Sequence, residues 1–265
     1  MKNFIYLFIA VSVFSCKDAK KETVVTPEPT ETKEVIVESN YPEALEKIFE
    51  AHGGLDQWKS MRFLEFTMNK NGVEEVTSTD LWNRKSLVET PDHKLGYDGE
   101  QVWLQNKNDA EYKGKPKFYY NLMSYFYAMP FILADDGIIY SDIDPLVFEG
   151  KTYPGIKVGY ESGVGESPED EYALYYNPDT YKMEWLGYTV TFFSQEKAKE
   201  WHFRKYSEWE EFNGVLLPKT IVRYEYENNL PTTVHSENNF YNVKLTKEQT
   251  NQDIFEMPEG AQLVE

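Results

Sequence analysis

The sequence contains a single cysteine, Cys16, among 265 residues. One thiol cannot close an intramolecular disulfide, and cysteine-based metal sites need several thiolates. Disulfide scaffolds and cysteine-rich metal centres are therefore excluded.

Basic residues are also scarce, with 27 Lys and Arg against 45 Asp and Glu and a formal net charge of −18. A nucleic-acid partner needs a basic face that displaces counterions, and an anionic membrane surface attracts the same kind of face. Nucleic acid is therefore excluded as a partner, and direct binding to anionic headgroups is disfavoured.

Motifs of common catalytic sites are missing. The sequence has no Gly-x-Ser-x-Gly elbow, no phosphate-binding Gly-Lys-Ser/Thr loop and no dinucleotide fingerprint. The four histidines do not occur at the i, i+4 or H-x-H spacing of a local metal site. We therefore predict no catalytic residue, no metal ligand and no cofactor.

Two of the histidines have expected structural places. His52 follows an amphipathic segment, so we expect it to end a helix and to interact with the helix dipole. His202 alternates with Trp201 and Phe203 on a predicted strand. If these two aromatic side chains face the core, His202 and Arg204 face outward.

Aromatic residues, by contrast, are plentiful, at 16% of the chain, and hydrophobic residues make up 41%. This is far more apolar bulk than a disordered acidic chain carries. The length allows one large β domain, and no internal repeat or linker interrupts residues 41–265.

The N-terminus has the layout of a secretory signal peptide. A short positive start precedes an apolar run over residues 4–14 that is too short to span a bilayer, and Ser15 precedes Cys16. The sequence Val13-Phe14-Ser15-Cys16 resembles the lipobox of bacterial lipoproteins. This resemblance implies a signal peptide over residues 1–15, lipidation of Cys16 with acyl chains such as palmitate, and attachment to a membrane.

Lys17 follows the cysteine where an inner-membrane retention signal has Asp, so we expect an outer-membrane lipoprotein of the cell envelope that faces the periplasm or the cell surface. Residues 16–40 are rich in Thr, Glu, Lys and Pro and contain no aromatic residue, which predicts a flexible tether. The folded domain is predicted over residues 41–265.

The domain begins with a predicted helix over residues 42–52 and a short turn or helix over 55–61, and the rest reads mostly as strands. Turn signals separate these strands without helical crossovers, which predicts a meandering antiparallel sheet that curves on itself. The alternating runs lie near residues 64–68, 79–88, 101–105, 147–160, 172–176, 184–193, 201–209 and 222–226.

One segment, KFYYNLMSYFYAMPFILA at residues 117–134, differs from the strands and is called the lid below. Its apolar side chains cover more than one helical face, so it must be buried on more than one side. We therefore predict a mainly β fold, a single curved antiparallel sheet forming an open half-barrel, with an N-terminal helix and an apolar helical lid or plug.

Four short motifs make the domain similar to the LolA-like group of bacterial envelope proteins, and most closely to uncharacterised Bacteroidota outer-membrane lipoproteins. The resemblance implies a half-closed antiparallel barrel whose apolar cavity accepts acyl chains. The motifs are Ala51-His52-Gly53-Gly54 with Trp58, Asp98-Gly99 with Val102-Trp103, Gly214-Val215-Leu216-Leu217-Pro218, and Phe255-Glu256-Met257-Pro258-Glu259-Gly260-Ala261.

Our leading hypothesis is a lipid-anchored protein that binds an acyl chain or lipid in the half-barrel. The residues predicted to line the cavity are Phe118, Tyr119, Met123, Phe126, Tyr127 and Phe131. One alternative is a non-enzymatic surface interaction or structural lipoprotein with a filled core. Another is a carboxylate- or His-based hydrolase, for which Asp135-Asp136 and Asp142-Asp144 flank the lid. The oligomeric state stays open.

Overall fold

A computed structural model describes residues 40–108, 110–161, 169–193, 198 and 200–264. The predicted signal peptide, Cys16 and all of the tether except its last residue lie outside the described residues. Among the helices of the described part, none has the length and apolar character needed to cross a membrane.

Four short α-helices and thirteen strands make up the described fold. The helices are α1 (Glu43–Ala51), α2 (Leu55–Lys59), α3 (Pro116–Tyr119) and α4 (Leu122–Tyr127), with 3-10 turns at Phe131–Ala134 and Gln252–Phe255. The strands are β1 (Phe63–Lys70), β2 (Val73–Asp80), β3 (Ser86–Glu89), β4 (His93–Tyr97), β5 (Val102–Asn106), β6 (Ile138–Phe148), β7 (Lys151–Tyr160), β8 (Tyr172–Tyr176), β9 (Met183–Tyr188), β10 (His202–Phe212), β11 (Val215–Glu227), β12 (Leu230–Thr246) and β13 (Gln262–Leu263).

All strands belong to one antiparallel sheet with the order β13-β5-β4-β3-β2-β1-β12-β11-β10-β9-β8-β7-β6. The edges, β13 and β6, do not pair with each other, so the sheet is not closed into a barrel. The predicted mainly β fold with an open half-barrel is confirmed.

The lid is the connection between the two sides of this sheet. It follows β5, which lies beside the edge strand β13, and precedes β6, which is the opposite edge. The chain must therefore cross the sheet from edge to edge, and it does so over the concave face. The lid packs there on buried side chains of both halves of the sheet, which include Phe66, Met68, Leu174, Leu186, Ile221 and Phe240.

Helix α1 packs into the same core by its apolar side. Leu45, Ile48 and Phe49 recur at helical spacing and are buried, which matches the predicted amphipathic pattern. The chain then turns at Gly53, whose φ of +104° favours glycine.

Two of the short motifs meet at this turn. A Cβ at Gly53 would lie 2.0 Å from the carbonyl oxygen of Gly214, so the two backbones approach more closely than any side chain allows. The backbone N–H of Leu216 also donates to the carbonyl of His52 at 2.9 Å. The Gly-Gly motif thus docks α1 on the end of the β10–β11 hairpin.

The other two motifs also contact each other. The indole Nε1 of Trp103 donates to the carbonyl oxygen of Phe255 at 2.9 Å, and both side chains are buried. The indole packs so closely over Gly96 that a Cβ there would lie 2.2 Å from a ring carbon. The closing motif therefore packs against the β4–β5 side of the sheet.

Three predicted strand runs are wrong in detail, one of them because β9 ends at Tyr188 and not at residue 193. The run at 79–88 is broken because the carboxylate of Asp80 accepts the backbone N–H groups of Trp82 and Asn83, which closes a turn. The run at 147–160 is likewise divided by a turn at Glu149 and Gly150, between β6 and β7.

We predict that Gly53→Ala destabilises the domain more than Gly54→Ala. Both glycines have positive φ, but nothing lies within 4 Å of a Cβ at Gly54. Backbone strain of about 1–3 kcal/mol is expected for both variants, and Gly53→Ala adds an overpacking cost of about 1–3 kcal/mol. Urea unfolding of the two variants measures the difference, and equal losses would mean that the Gly214 backbone moves aside freely.

Candidate functional site

A cleft of about 340 Å³ opens between the lid and the β7–β8 part of the sheet. Its apolar and aromatic lining comes from α3, α4, the chain after α4, β8 and the segment after β9. These side chains are Phe118, Leu122, Phe126, Met129, Tyr172 and Phe192. The lid is divided into short helices, and its side chains Phe118, Leu122 and Phe126 line the cleft.

A second cavity of about 220 Å³ lies on the side of the lid that faces β2, β3 and β4. Thr79, Ser86 and Tyr97 line it from the sheet. The lid residues Tyr120, Asn121 and Tyr125 line both cavities, and therefore separate them.

The six predicted cavity residues have different places. Phe118 and Phe126 line the cleft. Met123 and Tyr127 are buried in the concave core, and Phe131 stacks on Trp58 with ring centroids 4.9 Å apart. These three side chains pack against protein and do not line the cleft.

The sixth residue, Tyr119, makes a polar contact at the edge of the lid. Its hydroxyl donates to Glu75 Oε1 at 2.7 Å, and Lys70 Nζ lies 3.8 Å from its ring centroid. Burial raises the pKa of the Glu75 carboxyl, and the bond from Tyr119 opposes that effect. Tyr119 therefore fastens α3 to β2.

Sheet hydroxyls bind the backbone of the lid. Tyr206 Oη donates to the carbonyl oxygen of Phe126 at 2.9 Å. Pro130, four residues further on, has no N–H to offer that carbonyl. A similar bond runs from Ser86 Oγ to the carbonyl of Tyr120 at 3.2 Å. The bond from Tyr140 to Leu133 is 2.6 Å long.

Carboxyl groups line one part of the cleft. Asp135, Asp136 and Asp170 contribute to its wall, with Lys117 as the cationic member. Asp135 forms an ion pair with Arg84 at 2.6 Å, yet burial raises its pKa more than Arg84 lowers it. Burial also raises the pKa of Asp170, against hydrogen bonds from the backbone and hydroxyl of Thr191.

His52 ends α1 as expected, but it is fully buried and neutral. Its Nδ1 lies 2.7 Å from the carbonyl oxygen of Ile48, and its Nε2 accepts the backbone N–H of Met183. A carbonyl only accepts and an N–H only donates, so the ring carries its proton on Nδ1. Burial lowers the pKa of His52 to about 4, so a charged interaction with the helix dipole is not available.

Arg204 does not face outward, because both faces of this half of the sheet are covered. Phe203 packs with Trp185 in a second apolar cluster, whereas Arg204, one residue on, points to the lid face. Its guanidinium carbon lies 4.1 Å from the ring centroid of Phe126, and the residue is 8% exposed. Covalently adjacent strand residues point to opposite faces, so burying Phe203 on one side directs Arg204 to the other.

The structure does not assemble a hydrolase site from the predicted candidates. Asp142 and Asp144 are exposed on β6, away from the cleft lined by Asp135 and Asp136. His52 contacts backbone groups. Within the described residues, no three His, Cys, Asp or Glu side chains are grouped so that they could hold a metal ion.

The sequence patterns missed the sheet side of the cleft. Tyr172 and Phe192 line it together with Phe118, and Phe118 lies 5.3 Å from Phe192 between ring centroids. A continuous apolar segment identifies the lid, but nothing local to Tyr172 distinguishes a cavity-facing tyrosine from a core tyrosine. Only the register of β8 with β9 shows which face it occupies.

We predict that His52 makes folding stability depend on pH. The unfolded ring has a pKa near 6.5 and the folded ring about 4, so between these values the unfolded state takes up a proton that the folded state refuses. The stabilisation is complete above pH 6.5 and falls as pH decreases, by about 2 kcal/mol between pH 7.5 and 5.0. Urea unfolding at both pH values should show this loss for the wild type and not for His52→Gln, which keeps a donor and an acceptor. An equal pH dependence in both proteins would contradict the assignment.

We also predict that Tyr206→Phe costs about 1–3 kcal/mol, because the buried carbonyl of Phe126 loses its donor. The matched control is Tyr241→Phe, which removes an exposed hydroxyl bonded to Glu74 and should change stability by less than about 0.5 kcal/mol. Denaturant unfolding compares the two variants. Equal costs would show that water replaces the Tyr206 hydroxyl.

Solved structures with similar folds share little sequence with this chain. A DUF1329 family protein from Desulfovibrio piger matches with a TM-score of 0.49 and 12% identity over 80% of this chain and 95% of its own. A LolA superfamily protein from Nitrosomonas europaea matches with a TM-score of 0.47 and 10% identity over 81% and 96%. A putative outer membrane lipoprotein-sorting protein domain from Vibrio parahaemolyticus matches with a TM-score of 0.40 and 6% identity over 76% and 95%. All three TM-scores lie below 0.5, so the resemblance to LolA-like proteins and the likeness to Bacteroidota lipoproteins both stay predictions.

No curated protein matches the sequence. A family model described as a family of unknown function, DUF6503, matches residues 62–248, which is well over half of the chain and runs from β1 to the end of β12. The protein belongs to the DUF6503 family.

Proposed function

We propose that the protein binds a hydrophobic ligand, an acyl chain or a lipid, in the cleft between the lid and the sheet. The observation that carries the proposal is the open space of about 340 Å³ beside Phe118, Leu122 and Phe126. Ligand sites are concave, mostly apolar and supplied with a few polar groups, and this cleft has that composition.

Affinity comes from the removal of apolar surface from water. Each Å² of apolar area that the ligand buries contributes about 25 cal/mol, before the entropy of association is subtracted. Leu122 is half-buried and lines the cleft, so its apolar surface is available to a ligand. Phe192, in the segment after β9, contacts the lid residue Phe118 and provides a further aromatic surface in the cleft.

The proposed localisation of the protein rests on its N-terminal segment. We propose that acyl chains on Cys16 hold the protein at the outer membrane, and that residues 16–40 separate it from the headgroups. The acidity of the chain, −18 in total, disfavours direct contact of the domain with anionic lipids. A ligand would therefore reach the cleft one molecule at a time and not through a surface embedded in the bilayer.

A second candidate function is an interaction or structural lipoprotein with a filled interior. It is favoured by the tight packing of Met123, Tyr127 and Phe131, each at most 5% exposed on the concave face. In that case the cleft is a surface irregularity, and the protein purifies without any lipid.

Native mass spectrometry and lipid extraction of the full chain distinguish the two candidates. We expect a bound lipid or acyl species, and binding of dodecanol in equilibrium dialysis. Leu122→Asp should weaken dodecanol binding roughly tenfold or more, because a charge then borders the bound tail. A protein free of extractable lipid that also fails to bind dodecanol would select the filled-core function.

The matched control is Leu230→Asp, which places the same change at a half-exposed leucine in the β11–β12 hairpin, outside the cleft. It should leave dodecanol binding unchanged. Equal losses in both variants would indicate a general effect of charge and not a site at the cleft.

A further inference from the structure

Two arginines lie directly opposite each other on neighbouring strands at the concave face. Arg204 on β10 is the register partner of Arg223 on β11. Like charges in this position destabilise a sheet, because the side chains of paired residues approach within a few ångströms. A chain with 45 acidic residues has ample means to neutralise such a pair.

Nothing in the described part of the chain neutralises it. Arg204 is 8% exposed, and its Nε is buried without a hydrogen-bond partner. Within the described residues its guanidinium stacks on aromatic rings, with Phe126 at 4.1 Å and Tyr188 at 5.7 Å. Arg223 is half-buried, and among the described residues its side chain has neither an ion pair nor a hydrogen bond.

Three acidic side chains at neighbouring positions of the chain or sheet have other partners. Glu225, on the strand of Arg223, accepts a bond from His235 Nδ1. Glu200 accepts the hydroxyl of Tyr226 at 2.9 Å. Glu237 on β12 accepts the side-chain amide of Asn239 at 2.7 Å.

His202 lies two residues before Arg204 on β10, and the positive charges of both arginines act on its ring. Its pKa is lowered first by burial, then by the charge of Arg223 and, more weakly, by that of Arg204, while Glu200 opposes them. The His202 ring also lies 5.4 Å from the ring centroid of Tyr188. The concave face of β10 and β11 therefore carries a local excess of positive charge.

We propose that Arg204 and Arg223 form a binding site for an anionic head group, a carboxylate or a phosphate, of an amphiphile whose tail lies in the cleft. The assignment of the tail rests on the proposed function, whereas the anion site rests on the arginines. A planar guanidinium donates two parallel N–H groups to the oxygens of such a group. The bound anion removes the repulsion between the paired cations and satisfies their donors.

The arginine pair is close enough to the cleft to share a ligand with it. Phe126 lines the cleft and is also the ring on which Arg204 stacks. Tyr188, the second ring at Arg204, is the register partner of the cleft residue Tyr172. The guanidinium of Arg204 therefore contacts the apolar lining directly at Phe126. The carboxyls of Asp135 and Asp170 disfavour an anion at their own part of the cleft.

The test compares ligands with one tail and different heads. Equilibrium dialysis of the full chain should show that dodecyl phosphate binds at least tenfold more tightly than dodecanol. Arg204→Gln and Arg223→Gln should each bind dodecyl phosphate no more tightly than the same variant binds dodecanol. Lys219→Gln, which removes an exposed charge on the same strand as Arg223, is the matched control and should keep the preference.

Near-UV circular dichroism verifies that the variants fold. Because Arg223 is only half-buried, its substitution disturbs the core less than the substitution of Arg204. Equal binding of dodecyl phosphate and dodecanol by the wild type overturns the anion site and leaves the proposed function standing. A preference that survives both arginine substitutions also overturns it.

Inorganic phosphate at constant ionic strength distinguishes a lipid head group from a free anion. If phosphate alone raises the midpoint of thermal unfolding in the wild type and not in Arg204→Gln, the site accepts the free anion as well, which supports the anion site. If neither amphiphile binds, the proposed function fails. The anion site then fails too unless inorganic phosphate gives this arginine-dependent shift.

Discussion

The structure depends on a backbone that crosses an apolar interior without continuous secondary structure of its own. The lid links β5 to β6 across the concave face, and its helices are too short to pair most of their carbonyls internally. Buried carbonyls without donors are costly. Hydroxyls of the sheet supply those donors, as Tyr206 does for Phe126 and Tyr140 does for Leu133. Tyrosines of the sheet therefore contribute apolar surface to the core and also donate hydrogen bonds to the backbone of the lid.

This way of holding the lid also explains why a cleft exists. A single long helix would satisfy its own carbonyls and present one continuous surface to the sheet. Short pieces held at separate points leave space between them, and the cleft beside Leu122 and the cavity beside Asn121 occupy that space. The lid thus fills the half-barrel near Tyr127 and Phe131 and leaves it open near Phe118. The filled core and the open cleft are consequences of the same crossing.

Sequence patterns predict the parts of this architecture that are local. The amphipathic helix at Leu45, the alternating strand of Phe66 and the apolar lid are visible because their periodicity depends on their own neighbours. The 17-residue strand β12 is not predicted by the sequence pattern, because few of its side chains are buried and it includes Pro231. It becomes a strand only because β1 and β11 pair with its two edges. For the same reason the sequence singles out Phe126, which belongs to a continuous motif, and not Tyr172, which lies on a distant strand.

Arg204 shows that the alternation of side chains along a strand does not predict exposure where both faces of the sheet are covered. Burial of Phe203 indicates that its neighbours face water only when one side of the sheet is solvated. Here Phe203 packs with Trp185 on one face, so Arg204 is directed into the lid on the other. A buried cation beside a second one is a local conflict that lowers stability, and such conflicts concentrate where function requires them. The chain has an excess of acids and pairs Arg62 with Asp80 and Arg84 with Asp135, so unpaired arginines are not a consequence of composition. The exception at Arg204 and Arg223 is therefore best explained by an anion that the described part of the chain does not supply.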